Sequence, residues 1–566
     1  MQEFTDKIRA AVAERAGLVE ADVKIEQPRD PALGDFAFPC FPLAKAMKKA
    51  PPAIASELAG ELDADLDGIT AEAAGPYINF RVDRAILARS IVGAVLEAGT
   101  SYGSSEEGAG KKVVLDLSSP NIAKPMSVGH LRSTVIGGAL RRIFAKLGYE
   151  TIGINHIGDW GSQFGKLIAA LDRWGEETDL ESDPIQALLA LYVRYHEEEE
   201  SDPALVEAGR AAFRDLESGE DNEVRAKWKH ITKLSLLEFD KIYSRLGVTF
   251  DEVRGEAFYE SHLESTIERV EAAGITEISE GALIVDLSHI SENTPPCLLR
   301  KTDGTTLYAT RDLAAVFHRW ELYEFDHCLY VVGGDQRLHF QQLKGVLDRM
   351  EIEWEERVEH IAFGMMRLPE GRMSTRKGRV VFLEDVLDRA AEEALRIVGE
   401  KNPDLVNAEQ IAEQVGVGAV VFNDLRRERI KDVEFDWDEI LSFEGETGPY
   451  VQYTHARLAS IQRKAAERGE DGGEPDWAAL EDASGVLLRI GRFPDVIQSA
   501  ARHREPSEVT TWLLTLSREV NGWYAAHRVL GQESGVTAAR LALVRASQHA
   551  IAAGLGLLGV AAPEEM

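Results

Sequence analysis

Residues 111–148 constrain the fold of this chain more than any other stretch. They open with an apolar run at 113–117, whose β-branched content is typical of a buried parallel strand. Pro120 and its small polar neighbours end the strand. Apolar residues then return at steps of three and four, at Leu131, Val135, Ile136, Ala139, Ile143, Phe144 and Leu147. With Gly148 as C-cap, the pattern predicts a strand, a loop and a helix of an α/β fold.

Residues 128–131, Val-Gly-His-Leu, lie where this helix begins, and Lys124 precedes them. A helix N-terminus offers unpaired backbone N–H groups and the positive end of a dipole, so a phosphate fits there. Gly129 would let a nucleotide approach the backbone, while His130 and Lys124 could donate hydrogen bonds. Taken alone, Gly129 and His130 are more often a packing glycine and a surface histidine. The neighbouring residues favour the functional interpretation.

Those neighbours are the segments SSPNIAK (118–124) and VGHLRST (128–134). Together they resemble the HIGH-type signature of class I aminoacyl-tRNA synthetases, in the form carried by arginyl-tRNA synthetases. The resemblance implies a Rossmann-like catalytic domain with ATP lying across Val128, Gly129 and His130. The family usually has histidine where this chain has Ser127. Serine can donate one hydrogen bond but carries no charge, which weakens that part of the phosphate stabilisation.

Length and composition indicate a soluble protein of several domains. The chain has 566 residues, too many for one core, and about 150 residues per domain predicts three or four. No apolar run looks long enough to span a bilayer, and the N-terminus lacks a signal-peptide core. Cys40, Cys297 and Cys328 form no C-x-x-C pair. We therefore expect a cytoplasmic protein without a structural metal and without a membrane partner.

The net charge of −33 is unusual for a protein that binds nucleic acid, because phosphate binding normally requires a basic surface. Arginine outnumbers lysine by about two to one, and the acids are spread along the chain. Such a surface suits molar salt, where a Debye length of about 3 Å removes self-repulsion. The composition predicts a halophile, and with the resemblance a halophilic archaeon. The alternative is an acidic protein with no RNA partner.

Residues 1–107 are predicted to be a separate α+β domain. Helical periodicity runs through Phe4, Ile8 and Val12 and again over 41–62, and strands are expected at 22–26 and 77–82. The glycine-rich segment 103–110 is predicted to be a linker. Two segments, 34–37 and 75–80, resemble the N-terminal domain of arginyl-tRNA synthetases. The resemblance implies tRNA contacts through Phe36, Tyr77 and Asn79, although aromatic residues in such a segment are more often core.

A second strand is expected at 149–154, followed by the sequence NHIGDWGSQFG. Glycines after a strand and before a helix place His156, Asp159 and Gln163 where ligands bind in open α/β sheets. Asp159 could equally be a helix cap. From about 170 to 249 the pattern is helical and highly charged. This part resembles the helical insertion of class I synthetases within a catalytic domain at 108–382.

Tyr308 and Asp312 would lie on one face if their segment is helical. A carboxylate beside an aromatic ring suits a guanidinium, which forms paired charge-assisted hydrogen bonds and contacts the ring. Without the family, a half-buried tyrosine and a surface salt bridge would be the better interpretation. The resemblance implies that six residues bind arginine, namely Ser119, Asn121, Glu256, Tyr308, Asp312 and Gln336.

Residues 371–378 form a cationic segment bracketed by glycines. Three cations within six residues cannot pair with one another, so a triphosphate is a good candidate ligand; a solvated basic loop is the alternative. The segment resembles the KMSKS signature in its MSTRKG form. Thr375 replaces the second lysine of that signature, and we infer that Lys124 compensates. The resemblance assigns catalysis to Lys124, Ser127, Gly129, His130, Arg372, Ser374, Arg376 and Lys377, and an ATP contact to Met373.

The rest of the chain is predicted to be helical. Residues 383–441 would connect the catalytic domain to an all-α domain at 442–566. The opening of that domain resembles the anticodon-binding domain of the family. Tyr450, Tyr453 and His455 are its candidates for stacking on tRNA or for packing.

The resemblance as a whole implies an arginyl-tRNA synthetase that activates L-arginine with ATP and Mg²⁺ and transfers it to tRNA(Arg). Mg²⁺ would arrive with ATP, and we expect a monomer. Two alternatives stay open. A non-catalytic tRNA-binding relative would explain Ser127, although Lys124, His130 and the cationic segment are all retained. A class I synthetase for another amino acid would differ in the Tyr308 and Asp312 pocket.

Overall fold

The computed structural model describes residues 1–566 except 29, 181, 293, 368–380, 435, 441, 443–444 and 471. The N-terminal elements are α1 (Gln2–Ala16), β1 (Phe36–Pro39), α2 (Ala44–Met47), α3 (Pro51–Asp65), β2 (Ile69–Ala74), β3 (Tyr77–Val82) and α4 (Arg84–Ala98). The three strands form an antiparallel sheet in the order β1-β3-β2.

The predicted core of the first helix and the strand at 77–82 are confirmed, because Phe4, Ile8 and Val12 are buried and β3 has the expected bounds. The strand expected at 22–26 is wrong. That segment has only a short 3₁₀ turn and a single bridge from Glu26 to Ala37. The helix expected over 41–62 is divided into α2 and α3, where Lys48 adopts a left-handed conformation and prolines begin the second helix.

The middle of the chain forms β4 (Lys112–Leu117), α5 (Val128–Lys146), β5 (Glu150–Asn155), α6 (Ser162–Trp174), α7 (Pro184–Glu199), α8 (Pro203–Glu217), α9 (Glu223–Arg245), β6 (Glu252–Val253), α10 (Leu263–Ala272), β7 (Thr276–Ser279), β8 (Ala282–Val285), β9 (Cys297–Arg300), α11 (Tyr308–Tyr323), β10 (His327–Val331), α12 (Arg337–Arg349), β11 (Val358–His360) and β12 (Met366–Arg367). Five of the strands make a parallel sheet in the order β11-β10-β4-β5-β6, so the predicted α/β architecture is confirmed.

The strand, loop and helix predicted at 111–148 are β4, its loop and α5. Five of the six β4 residues are fully buried, as expected of a central parallel strand. The helix packs closely on this strand: a Cβ on Gly137 would lie 2.3 Å from the Cβ of Leu117. Helices α6 to α9 lie between β5 and β6, where the helical insertion is expected. Residues 360–364 are strand-like in sequence, but β11 ends at His360.

The remaining elements are α13 (Leu383–Lys401), α14 (Ala408–Leu425), β13 (Val433–Glu434), α15 (Trp437–Ile440), α16 (Gly448–Arg468), α17 (Ser484–Gly491), α18 (Phe493–His503), α19 (Ser507–Ala526) and α20 (Ser534–Leu558). By length and composition α20 could cross a membrane, contrary to the expectation that no apolar run is long enough. However, 72% of its apolar window is buried in the protein, as in a core helix.

Candidate active site

The candidate site lies at the carboxyl ends of β4, β5 and β10. In the sheet β4 stands between β5 and β10, and the chain reaches these neighbours in separate crossovers. An open α/β sheet has its ligand crevice where the strand order reverses in this way. The first residues of α5 and α12 lie near this edge, because these helices follow β4 and β10, and the hydrogen bond between Asp312 and His339 holds the start of α11 beside α12. The topology therefore brings the predicted signature and pocket residues together.

The N-terminus of α5 presents Gly129 and His130. Gly129 is exposed and His130 is half-buried. The backbone N–H of Ser127 donates to Nδ1 of His130 at 3.0 Å, which leaves the proton of a neutral imidazole on Nε2. Burial lowers the pKa of His130, which favours that neutral form. Ser127 is thus the N-cap of α5 and orients His130 through its backbone.

Val128 corrects one prediction. Its side chain is fully buried and its N–H donates to the carbonyl of Val381. A side chain in the core cannot contact ATP, so the exposed part of this turn is Gly129 and His130. The apolar residue at the first position of α5 instead anchors the helix to the core.

The cationic segment lies outside the described residues, and with it Arg372, Met373, Ser374, Arg376 and Lys377. The described residues on both sides of it contact α5 and its N-terminus. Downstream, Val381 accepts from Val128 at 3.2 Å and Leu383 donates to Met126 at 2.8 Å. Upstream, the carbonyl of Gly364 accepts from Nη1 of Arg132 at 2.7 Å. The described residues that flank the cationic segment therefore lie beside the first two turns of α5.

The loop after β4 holds Asn121 against the loop after β5. Asn121 and Gly158 form a parallel bridge, and Gly158 donates to the carbonyl of Pro120 at 3.0 Å. A Cβ on Gly158 would lie 2.0 Å from Oδ1 of Asn121, so any larger residue there would displace the Asn121 side chain from its present position. Ser119 is exposed beside Asn121, and its hydroxyl donates to Asp116 at 3.5 Å. Both predicted residues therefore lie at the sheet edge.

Asp312 and Tyr308 occupy the first turns of α11, as predicted for a helical segment. Oδ2 of Asp312 accepts from Nε2 of His339 at 2.6 Å. Burial would raise the pKa of Asp312, but the hydrogen bond and charge of His339 outweigh it and the pKa is lowered. The Tyr308 side chain is 57% exposed, and its ring centroid lies 4.8 Å from that of His339. The site thus offers an ionised carboxylate beside an accessible ring.

Glu256 and Asp159 add two more carboxyl groups near Asp312. Burial raises the pKa of Glu256; the charges of Asp159 and Asp312 raise it further, whereas His156 opposes the shift. Burial raises the pKa of Asp159 to about 6, although the N–H of Ala257 donates to it at 2.8 Å. An acidic cleft of this kind favours a cationic ligand.

Asp159 leads to a prediction about stability. The carboxyl group titrates near pH 4 when unfolded and near 6 when folded. The folded protein therefore binds more protons between these values, and stability falls as the pH rises through this window. We expect Asp159→Asn, which keeps an acceptor for Ala257, to be more stable than wild type by about 1–3 kcal/mol above pH 6.5. Denaturant unfolding at two pH values measures this, and a gain that persists undiminished near pH 4 would contradict it.

A buried ion pair ties β4 to α11 beneath these loops. Nη2 of Arg319 donates to Oδ2 of Asp116 at 2.7 Å, and Arg319 is fully buried. The guanidinium lies 4.9 Å from the ring centroid of Tyr330 on β10. Because a buried cation must be paired, this contact fixes α11 relative to the sheet.

Gln336 and Lys124 lie at the margins of the site. Gln336 is exposed at the N-cap of α12. Lys124 is half-buried, with Nζ 5.3 Å from the ring centroid of Tyr192 on α7. Its amino group thus contacts the helical insertion.

Three of the residues predicted to contact tRNA belong to the core. Phe36 and Asn79 are 6% and 4% exposed, and His455 is 4% exposed. Nδ1 of His455 lies 2.9 Å from the carbonyl of Pro563, and burial lowers its pKa. These three predictions are wrong as surface contacts, because aromatic and amide side chains here fill the interior.

The other three residues predicted to contact tRNA, Tyr77, Tyr450 and Tyr453, are half-buried and therefore more accessible. Tyr77 is half-buried and packs edge-on against Phe41, which is 54% exposed. The hydroxyl of Tyr450 accepts from Asn521. Tyr453 has Arg457 and Lys401 at its ring face. Phe41 was not predicted, and its place beside the predicted strand at 77–82 appears only in the fold.

Within the described part of the chain no group of three or more His, Cys, Asp or Glu side chains could hold a metal ion. His339 and Arg319 are structural neighbours of the site that lie outside the predicted motifs, whereas Arg132 lies within the VGHLRST segment. In the sequence, His339 lies three residues after Gln336, and this spacing links it to a predicted arginine-binding residue.

Three family models cover most of the chain. Residues 2–82 match "Arginyl tRNA synthetase N terminal domain", 91–437 match "tRNA synthetases class I (R), catalytic domain" and 451–566 match "DALR anticodon binding domain".

Among curated proteins, an arginine–tRNA ligase of Exiguobacterium sibiricum is 48% identical over 565 residues, covering 100% of this chain and 99% of that protein. The arginine–tRNA ligase of Clostridioides difficile is 45% identical with 100% coverage of both. These relatives are bacterial and give no support to an archaeal origin.

Among solved structures, the arginyl-tRNA synthetase of Thermus thermophilus superimposes with a TM-score of 0.83 at 28% identity, covering 100% of both chains. That of Plasmodium falciparum has a TM-score of 0.78 at 22% identity, with 100% of this chain and 99% of that chain covered, which supports the fold alone.

Proposed function

The chain belongs to the class I arginyl-tRNA synthetases, and on this premise we propose which of its residues perform each part of the reaction. The enzyme is an arginine–tRNA ligase that uses ATP and forms AMP and pyrophosphate. The arginine carboxylate attacks the α-phosphorus of ATP to give arginyl-adenylate and pyrophosphate. A hydroxyl of the terminal ribose of tRNA(Arg) then displaces AMP. The protein contributes positioning and electrostatic stabilisation to both steps.

The phosphates of ATP, with their Mg²⁺, are assigned to the N-terminus of α5. Gly129 gives access to the backbone, and the neutral His130 donates from Nε2 to a phosphate oxygen. Arg372, Ser374, Arg376 and Lys377 would supply charge from the other side, with Met373 against the nucleotide. This is supported by Val381 and Gly364, which hold both flanks of that segment against α5. Lys124 is assigned the charge that Thr375 cannot supply.

Arginine is assigned to the cleft between α11 and the loops after β4 and β10. The single observation that carries this is Asp312, an acid with a lowered pKa that sits at the sheet edge beside the exposed ring of Tyr308. Its carboxylate would pair with the guanidinium, and the ring of Tyr308 would contact it. Gln336 would accept a hydrogen bond from a guanidinium N–H through Oε1. Ser119, Asn121 and Glu256 would bind the α-amino and carboxylate end.

The tRNA is assigned to the surfaces of the two terminal domains. We propose the division 1–107, 108–382 with an insertion at about 170–249, 383–441 and 442–566. Tyr77, Tyr450 and Tyr453 are the candidates that keep an accessible position. The enzyme is proposed to act as a cytoplasmic monomer whose arginine activation requires tRNA.

Arginine-dependent exchange of pyrophosphate into ATP tests these assignments. We expect exchange by wild type with arginine and tRNA(Arg), and about a 10²–10³-fold lower kcat for His130→Ala, because one preorganised donor to developing charge is lost. The KM for arginine should be nearly unchanged. His503→Gln on the exposed surface of α18 is the matched control and should behave as wild type. A His130→Ala enzyme with normal kcat would contradict the assignment, and no exchange by wild type would leave only a tRNA-binding protein.

The acidic surface leads to a prediction about salt. At a net charge of −33, screening should relieve repulsion within the folded protein. We expect the thermal midpoint to rise by several degrees between about 0.1 M and about 2 M KCl. The Exiguobacterium sibiricum relative, melted in the same buffers, controls for a general salt effect. Equal or smaller gains in this protein would contradict a halophilic adaptation.

A further inference from the structure

His339 lies on the first turn of α12 and reaches the arginine cleft from beside β10. Its side chain is 7% exposed, and Nε2 donates to Oδ2 of Asp312 at 2.6 Å. The imidazole also contacts the ring of Tyr308, with centroids 4.8 Å apart and planes inclined by 60°. The ring centroid of the next residue, Phe340, lies 5.1 Å from that of His339. One buried side chain thus touches both residues assigned to the guanidinium.

The second nitrogen of His339 has no hydrogen-bond partner among the described residues. Nδ1 is buried and unpaired. Within the described part of the chain, Asp312 is therefore the hydrogen-bond partner of this imidazole. A buried polar side chain normally forms hydrogen bonds, and a histidine that only filled space would leave both ring nitrogens unpaired in the core. The imidazole is therefore held in the core for its contact with Asp312.

A carboxylate on the first turns of a helix has several rotamers, and only some of them present both oxygens to a planar guanidinium. The two oxygens offer about four lone-pair directions, of which His339 uses one. A bidentate guanidinium needs two more, so the contact orients Asp312 and still leaves room for the ligand. The hydrogen bond also keeps the acid ionised within the cleft.

We propose that His339 is a positioning residue for arginine recognition, which fixes the carboxylate of Asp312 and the ring of Tyr308 in the geometry that a guanidinium requires. The proposal rests on the assignment of Asp312 to the guanidinium. It adds a residue from α12 to a pocket otherwise formed by α11 and the loops of the sheet. His339 itself acts through Asp312 and does not contact the reacting atoms.

The test compares three variants by pyrophosphate exchange. His339→Leu removes the donor, His339→Asn keeps polarity but is too short to reach Asp312, and His339→Gln carries an amide where Nε2 lies. We expect the first two to raise the KM for arginine by about 10–100-fold, as for a lost hydrogen bond to a charged group. The kcat and the KM for ATP should change by less than about threefold. His339→Gln should recover most of the arginine KM.

The matched control is His289→Gln, which removes the exposed pair of His289 with Asp348 and should leave all constants unchanged. A folded His339→Leu or His339→Asn enzyme with a normal KM for arginine would overturn the proposal. So would a His339→Gln enzyme as impaired as His339→Leu, because shape rather than the hydrogen bond would then matter. Asp312→Asn distinguishes a failure of the His339 proposal from a failure of the assignment of Asp312 to the guanidinium. If Asp312→Asn leaves arginine binding intact, it is the assignment of Asp312 that is wrong.

Discussion

Asp312→Asn is expected to lower kcat/KM for arginine by about 10³-fold, because a buried charge pair loses one partner and the guanidinium is left uncompensated. The carboxylate is ionised in the free enzyme, since its pKa is lowered, so the substitution removes a full negative charge at neutral pH. The amide can still accept from His339 through its oxygen, which keeps the fold of the cleft. Pyrophosphate exchange with arginine varied at saturating ATP measures the effect.

The KM for ATP of the Asp312→Asn enzyme shows whether the loss is specific to arginine. The KM for ATP should stay within about threefold of wild type, because Asp312 is assigned to the amino acid. Asp348→Asn, an exposed acid on α12, is the matched control. Citrulline and lysine should be rejected by wild type and less well discriminated by the variant. Equal losses for arginine and ATP would place Asp312 elsewhere in the mechanism.

Asp424→Ala is expected to destabilise the protein by about 3–5 kcal/mol, because it leaves a buried guanidinium unpaired. Nε of Arg132 lies 2.9 Å from Oδ1 of Asp424, and both side chains are 1% exposed. The same guanidinium donates to the carbonyls of Gly364 and Lys431 at 2.7 and 2.8 Å. One side chain of α5 thus joins α14 and two loop segments. Denaturant unfolding measures the loss.

Replacing both charges is the decisive control. Arg132→Met with Asp424→Leu should recover much of the stability lost in Asp424→Ala, because no unpaired charge is left in the interior. The exposed pair of Lys7 and Glu3 on α1 provides the surface comparison, and Glu3→Gln should cost less than about 1 kcal/mol. An Asp424→Ala protein as stable as Glu3→Gln would show that water reaches Arg132 and would contradict its burial.

The strand, loop and helix around residue 130 could be predicted because their signals are local. An apolar run, a proline and a helical stripe specify each element without reference to distant residues. The contact between His339 and Asp312 could not, since the two lie 27 residues apart and meet only because α11 and α12 share one edge of the sheet. The family signature identified Asp312, whereas His339 has none.

For the residues predicted to contact tRNA, the sequence does not show which side chains reach the surface. Phe36, Asn79 and His455 have side chains whose chemistry suits RNA, yet the same chemistry also fills a core. Sequence cannot tell an aromatic side chain that faces solvent from one that faces a neighbouring helix when both faces are apolar. In the fold Tyr77 stays accessible beside Phe41, while Phe36 on the adjacent strand points inward.

The Arg132 contacts limit how this enzyme can be dissected. A fragment that ended at residue 382 would contain the whole parallel sheet and both flanks of the cationic segment. It would lack Asp424 and Lys431, so the buried guanidinium of Arg132 would lose the carboxylate that pairs with it and one of the carbonyls that accept from it. A minimal catalyst made from this chain should therefore extend past α14 and retain residues to at least Lys431.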